Sequence, residues 1–206
     1  MSPLISASPL RRPSASAILR WGFYAFLLAG ITALAYTGCV LVEMRTYQSV
    51  QARPFDRVDP RADFRVAPTE VTEGSVIGRI EIPRLGFTSV VAQGDSDDVL
   101  RRAVGHVSET ALPGQAGNVA MAGHRDTIFR PLRNIRVGDV IKIETFAGNY
   151  TYQVDSTEVV PPTDVAVLQS HGENELTLIT CFPFHFIGHA PNRFIVRARE
   201  IAASQR

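Results

Sequence analysis

The feature that most constrains this chain is a long uncharged segment close to its first residue. Residues 21–42 form 22 consecutive positions without Asp, Glu, Lys or Arg. An α-helix of that length extends about 33 Å, slightly more than the roughly 30 Å hydrocarbon core of a bilayer. The buried core helix of a globular domain is the alternative, but it would keep a polar face that this segment lacks. We therefore predict a transmembrane helix over residues 18–42.

The charges that flank this segment predict its orientation. Arg11, Arg12 and Arg20 precede the apolar run, and the first acidic residue of the chain is Glu43. Positive charge is retained on the cytoplasmic side of a membrane. Residues 1–17 are therefore expected in the cytoplasm, and everything beyond the span is expected outside it. The sequence predicts a single-pass protein of the cell membrane with an extracytoplasmic domain.

Two positions inside the apolar run resemble sites at which a signal peptide is cleaved. Residues 33–35 read Ala-Leu-Ala, and residues 36–39 end in Cys39 as lipoprotein signals do. The apolar run is longer than a signal peptide usually has and continues through both positions. An uncleaved anchor is therefore the expectation, and cleavage is the alternative.

The remainder of the chain divides into a tether and one exported domain. The 206 residues are 45% hydrophobic and 20% charged, which excludes a largely disordered chain. The net charge of +1 gives no electrostatic reason to expect nucleic acid as a partner. Residues 43–74 carry three prolines among charged residues and no regular period, so they are predicted to be a linker. Residues 75–201 are predicted to form the domain.

This domain is predicted to be mainly β. Short apolar or alternating runs are separated by turn residues, and one acidic cluster begins a short helix. Gly148 and Asn149 are predicted to turn two of the strands into a hairpin. Seven or eight strands in about 125 residues suggest a closed barrel or a sandwich. The strand candidates are residues 76–82, 89–93, 117–123, 140–146, 150–154, 176–180 and 193–199, and the helix candidate is 95–103.

Cys181 is the candidate nucleophile. Because Cys39 lies in the predicted span, Cys181 has no partner for an intramolecular disulfide on the exported side. It ends a strand candidate, and Phe182 and Pro183 then interrupt the pairing. Rigid scaffolds commonly present catalytic groups where a strand meets a loop. A buried, inert thiol is the alternative.

A thiol nucleophile needs a basic neighbour and a donor for the developing oxyanion. His124 follows a strand candidate of small residues that would leave room for a substrate. His106 follows the helix candidate and is a second possibility. Arg193 begins the last strand candidate, 12 residues after Cys181, and is placed to curl back to it.

A zinc site is the rival interpretation of the same segment. Cys181, His185 and His189 are spaced four apart, as ligands on one helix face would be. Pro183 and Gly188 oppose such a helix. No metal and no other cofactor is therefore expected.

Three segments of the chain resemble one family. Residues 177–181 read TLITC and match the TLxTC signature of the sortases, which are membrane-anchored cysteine transpeptidases. Residues 123–127, GHRDT, resemble the histidine segment of that family, and residues 190–196, APNRFIV, resemble its arginine strand. The three occur in the family's order within residues 75–200, and the second and third are most similar to class D.

The resemblance implies a fold and a set of roles. The fold would be a closed eight-stranded β-barrel with short helices. Cys181 would be the nucleophile, His124 the general acid and base, and Arg193 a stabiliser of substrate and oxyanion. Thr180 would support the oxyanion site, and His106 would lie near the site as a second-tier residue.

The resemblance also implies a reaction and its partners. The Cys181 thiolate would attack a peptide carbonyl, and an amine would resolve the resulting thioester. The donor would be an exported protein with an LPxTG-like sorting signal. In this chain, Val167 and Ile187 are candidates to contact the apolar side chains of that signal. The acceptor amine would belong to a cell-wall precursor or a pilin lysine. A hydrolytic cysteine peptidase and a catalytically silent membrane-anchored binding domain are the alternatives.

Overall fold

The computed structural model describes residues 15–56, 71–186 and 188–205. They divide into two compact units, one that ends at Glu43 and one that begins at Met44. Most of the predicted cytoplasmic tail, with Arg11 and Arg12, lies outside the described residues. So do residues 57–70 of the predicted linker and the candidate pocket residue Ile187.

Helix α1, Ala15–Asp56, contains the predicted span. Its segment Leu19–Arg53 is long and apolar enough to cross a membrane. Large apolar side chains such as Trp21, Phe26 and Leu34 are more than two thirds exposed. A helix in a globular core would bury these side chains, so the core-helix alternative is wrong.

The second part of α1 corrects the prediction for the linker. Residues 43–56 are helical, because the stretch from Glu43 to Arg53 contains neither proline nor glycine to interrupt the helix. The Gln48 side chain accepts a hydrogen bond from the Val90 main-chain N–H at 2.8 Å. Its amide also donates to the Arg102 carbonyl at 2.6 Å. The start of the segment predicted as an irregular tether is therefore ordered helix with contacts to the domain.

Eight strands close into a barrel, which confirms the predicted mainly β fold and excludes a sandwich. Their order around the barrel is β1-β2-β3-β4-β7-β8-β6-β5, and β5 pairs with β1. The pairs β2–β3 and β4–β7 are parallel, and the others are antiparallel. The strands are β1 Val76–Ile82, β2 Phe87–Gln93, β3 Val104–His106, β4 Asn118–Ala122, β5 Val140–Thr145, β6 Gly148–Val160, β7 Glu175–Phe182 and β8 Asn192–Gln205. The short helical elements are α2 Asp97–Leu100 and the 3₁₀ turns Pro83–Leu85, Arg130–Asn134 and Val165–Leu168.

The barrel interior is filled by alternate residues of the strands, as a period of two requires. In β8 the inward set is Val196 and Ala198, with Phe194 packed against the same core. These inward residues alternate with Arg193, Ile195 and Arg197 along the strand. The other strands contribute a continuous apolar core that includes Ile80, Ile82, Val119, Met121, Ile141, Ile143, Tyr152, Leu176 and Leu178.

The hairpin between β5 and β6 turns two residues earlier than predicted. Gly148 and Asn149 lie within β6, and Asn149 pairs with Glu144. The Thr145 hydroxyl accepts hydrogen bonds from the main-chain N–H groups of Ala147 and Gly148, both at 3.1 Å. This buried hydroxyl replaces the glycine-based turn that the sequence suggested.

An ion pair at the barrel end gives a test of the fold. The Asp139 carboxylate is 5% exposed, and it accepts hydrogen bonds from the Arg84 guanidinium and from the Arg136 main-chain N–H. The hydrogen bonds from Arg84 hold the pKa of Asp139 below its usual value. The pair Asp98–Arg101 is, in contrast, more than half exposed on both sides. Exposed pairs contribute about 0–1 kcal/mol, so the two aspartates form a matched comparison.

Asp139→Asn is expected to lower the melting temperature of the detergent-solubilised protein by several degrees, and Asp98→Asn is expected to leave it near the wild-type value. Because the pKa of Asp139 is lower in the folded state, its contribution to the free energy of unfolding is present above the unfolded pKa. That contribution is lost as the pH falls below about 4. Thermal melts at pH 7 and pH 3.5 measure both effects. Equal melting temperatures for the two variants at pH 7 would contradict the assigned role of Asp139.

Candidate active site

Cys181 and Arg193 are direct neighbours across two antiparallel strands. In the register between β7 and β8, Cys181 is paired with Arg193 and Ile179 with Ile195. Directly opposed residues project to the same face of a sheet, with Cβ atoms about 4.5–5.5 Å apart. Ile179 and Ile195 pack together on the outer face of the barrel. Cys181 and Arg193 therefore share that outer face, and Cys181 is a free, partly exposed thiol.

The histidine segment is fastened to the same end of β7. Strand β4 runs parallel to β7, and the Gly123 main-chain N–H donates to the Ile179 carbonyl at 3.1 Å. The Thr180 hydroxyl donates to the Gly123 carbonyl at 2.7 Å. Because His124 follows Gly123 and Cys181 follows Thr180, these two bonds bring the histidine segment beside the cysteine. The structure thus gathers Cys181, His124 and Arg193 on three adjacent strand ends.

Glycine is required at position 123 for this approach. A Cβ atom there would lie 2.7 Å from the Phe129 ring, which is fully buried. The Phe129 main-chain N–H in turn donates to the His124 carbonyl at 2.9 Å. The turn that presents His124 therefore packs directly on the barrel core, and this limits where the histidine can lie.

Thr180 is 2% exposed, and its hydroxyl is engaged with the Gly123 carbonyl. Its side chain therefore fastens the histidine segment to β7. The predicted support of an oxyanion stays a prediction, and it would fall to the main chain because the hydroxyl already has a partner.

His106 lies away from this group. It is on β3, paired with Met121, and Met121 is paired with Leu178 rather than with the end of β7. The ring is 1% exposed and hydrogen-bonds to the Gln93 side chain and the Ala111 carbonyl, both at 2.9 Å. Burial lowers the pKa of His106. The structure therefore places the second-tier candidate in the interior as a structural residue.

The segment after Cys181 is a loop in which His185 and His189 are exposed. It contains a turn in which the Phe186 main-chain N–H donates to the Pro183 carbonyl at 3.3 Å. The helical spacing on which the zinc interpretation rested is therefore wrong. Over residues 15–56, 71–186 and 188–205, no three His, Cys, Asp or Glu side chains are grouped as metal ligands would be.

Two features beside the cysteine were not predicted. Phe182, Phe184 and Phe194 form an aromatic cluster with ring centroids 5.3–6.2 Å apart. Arg125 is 6% exposed and donates to three carbonyls of the loop that follows Cys181. Arg125 lies in the GHRDT segment, but the sequence assigns it no role, because its partners lie about 60 residues further along the chain.

The candidate pocket residue Val167 is also buried. It is 6% exposed and packs with Val160 and Ile195. It therefore packs on the outer face of the barrel in a buried cluster, whereas the sequence suggested that it lines an open apolar pocket.

Comparisons with known proteins agree with this geometry. The family model described as Sortase domain matches residues 80–201. The chain belongs to the sortase family. Sortase D of Bacillus subtilis strain 168 is 32% identical over 129 residues, which cover 62% of this chain and 65% of that protein. The chain thus spans just under two thirds of that relative.

Solved structures of sortases have the same barrel. A Sortase D5 transpeptidase from Clostridium perfringens superposes with a TM-score of 0.66 at 30% identity, covering 78% of this chain and 99% of that one. Sortase E1 from Streptomyces coelicolor, solved with a tripeptide in the active site, gives a TM-score of 0.59 at 33% identity, covering 65% and 92%. Two matches are of the D type, which confirms the predicted resemblance to class D.

The buried ring of His106 leads to a prediction about pH. Its folded pKa is lowered from 6.5, so the unfolded chain binds more protons and stability falls as the pH drops below about 6.5. His106→Gln is expected to be less stable at pH 7, because the amide cannot occupy both ring-nitrogen positions and one buried hydrogen bond is lost at a cost of about 1–3 kcal/mol. It should also lose less stability than wild type between pH 7 and pH 5. Urea midpoints at the two pH values measure both effects.

His171→Gln is the matched control, because that ring is 61% exposed and pairs with Glu175 on the surface. It should keep the wild-type difference between pH 7 and pH 5. If the urea midpoint of His106→Gln changed between pH 7 and pH 5 by as much as that of wild type, His106 would not be the group that titrates.

Proposed function

We propose that this sortase is a membrane-anchored cysteine transpeptidase that cleaves an LPxTG-like sorting signal and transfers the acyl group to an amine. The observation that carries the proposal is the register of β7 and β8, in which Cys181 is opposite Arg193. The bonds of Gly123 to Ile179 and Thr180 bring His124 to the same strand ends.

The reaction has two steps on the Cys181 sulfur. The thiolate attacks the carbonyl carbon of the scissile peptide bond, and His124 in its protonated form gives a proton to the leaving amine. The C–N bond breaks and a thioester joins the substrate to Cys181. An incoming amine then attacks the thioester carbonyl, His124 takes up its proton, and a new amide forms as the thiolate leaves.

Arg193 supplies the positive charge on the face where the oxyanion develops. One guanidinium nitrogen donates to the Asn192 carbonyl at 3.2 Å, and this contact holds the side chain beside its own strand. The planar guanidinium has further N–H donors in a fixed fork. These donors can bind the substrate carbonyl and the oxyanion together, which is the role proposed for Arg193.

The proposed donor is an exported protein with a C-terminal sorting signal, and the proposed acceptor is the amine of a cell-wall precursor or a pilin lysine. The chain would be anchored by residues 18–42, with residues 1–17 in the cytoplasm and the barrel outside the cell membrane. Arg20 before the uncharged run of residues 21–42 and Glu43 after it support this orientation. The tripeptide in Sortase E1 supports a peptide substrate for a barrel of this type.

Cys181→Ala is expected to abolish turnover of an LPxTG-type peptide while leaving the melting temperature close to wild type. His124→Ala is expected to lower kcat/KM by about 10²–10⁴-fold, because general acid–base assistance is typically of that size. His106→Gln, assayed below its own melting temperature, should retain most activity. Products are analysed with and without an added amine, because a hydrolytic peptidase would give the same acid in both. Retained turnover in Cys181→Ala would exclude the mechanism.

Arg193→Ala is expected to lower kcat/KM by about 10²–10³-fold, as the loss of one preorganised oxyanion donor does. Arg193→Lys should be nearly as damaging, because an ammonium keeps the charge without the fork. Arg197 and Arg199 are matched controls on the same strand, since they pair with Glu158 and Asp155 at 2.9 and 3.3 Å. Their alanine variants should change kcat/KM only slightly. An equal loss of kcat/KM at all three positions would remove Arg193 from the site.

A further inference from the structure

The loop from Pro183 to Pro191 joins β7 to β8 and begins two residues after Cys181. It borders the candidate active site, and its residues His185, Phe186, Gly188 and His189 are exposed. Within its described part, the one main-chain hydrogen bond internal to the loop joins Phe186 to Pro183. Phe184 packs on Phe182 and Phe194, and beyond that packing the described part of the loop depends on an external contact to keep one conformation.

Arg125 provides that contact. Its guanidinium donates to the Pro183 carbonyl at 2.9 Å, to the Phe186 carbonyl at 2.6 Å and to the Gly188 carbonyl at 2.9 Å. The remaining Nε–H faces the exposed carboxylate of Asp126 at 3.3 Å. A buried charge is tolerated when it is fully hydrogen-bonded, and these carbonyls supply most of its acceptors.

The position of Arg125 in the chain makes the contact relevant to catalysis. Arg125 directly follows His124, and its three acceptors lie in the loop that directly follows the Cys181 strand end. One side chain therefore connects the histidine segment to the loop. Cys181 and Arg193 are held independently of it, because the β7–β8 register pairs them through the sheet.

We propose that Arg125 is a positioning residue that holds the Pro183–Pro191 loop against the histidine segment and so keeps the peptide-binding side of the site preformed. The inference rests on the proposed function. When the loop is released, the competent conformation becomes a fraction of the population, and the apparent affinity falls by that fraction. KM therefore rises, while kcat on bound peptide changes little because the sheet still holds Cys181 and Arg193.

The experiment compares Arg125→Gln and Arg125→Lys with wild type, using the full chain in detergent micelles and an LPxTG-type peptide. Arg125→Gln should raise KM at least tenfold with kcat within about threefold. Arg125→Lys keeps the charge but reaches fewer of the three carbonyls, so its KM should be intermediate. Asp126→Asn is the control, because it alters the surface partner of Arg125 and leaves the three loop contacts in place.

Limited proteolysis reports on the loop without any turnover. Phe184 and Phe186 are chymotrypsin sites inside it, and cleavage after them should be at least tenfold faster in Arg125→Gln than in wild type. The rate at which iodoacetamide alkylates Cys181 should be unchanged, since the sheet positions that residue. Melting temperatures identify any variant whose fold is lost. If Arg125→Gln does not fold, the comparison of Arg125→Lys with wild type tests the proposal.

Two results would overturn the inference. One is a loop that is cut no faster in either variant than in wild type, whatever the turnover. The other is a fall in kcat that parallels the melting temperature with KM unchanged, which a merely structural arginine would produce. If wild type does not turn over the peptide, the proposed function fails, and a protected loop that opens in Arg125→Gln still demonstrates what Arg125 holds.

Discussion

The site depends on the position of β7 between a parallel neighbour and an antiparallel one. Strand β8 places Arg193 opposite Cys181, and the segment that follows β4 carries His124 to the same end of β7. The buried hydrogen bond from Thr180 to the Gly123 carbonyl joins the two sides at the height of the cysteine. A hydrogen bond in an interior of low dielectric is strong and costly to leave unmade, so this contact restricts the relative position of the two segments.

Local pattern predicts most of the barrel, because strands with one face on a core alternate in sequence. Strand β1 has the predicted bounds, whereas β8, Asn192–Gln205, extends beyond the predicted range 193–199 at both ends. Strand β3 was missed, since three residues that include Gly105 carry no period. The helix expected over residues 95–103 is the single turn α2, because main-chain pairing at Val104 ends it.

The candidate site was predicted from motifs, and its geometry was not. His106 and His124 both follow a glycine, and the small residues before His124 are the local feature that favours it. The burial of the His106 ring has no local signal. Strand register distinguishes the two histidines. His106 lies at the level of Leu178, whereas His124 lies at the level of the end of β7. The sequence contains Arg125 in its GHRDT segment but does not predict its role, since its three acceptors are brought to it only by the closure of the barrel.

Closure of the strand ring limits how a peptide could bind to this domain. Each of the eight described strands has a neighbour on both sides, so no described strand forms an open sheet edge that a peptide could extend as a ninth strand. Under the proposed function, an extended donor peptide would therefore bind to side chains and loops at the rim of the barrel, and it would not pair with a sheet edge.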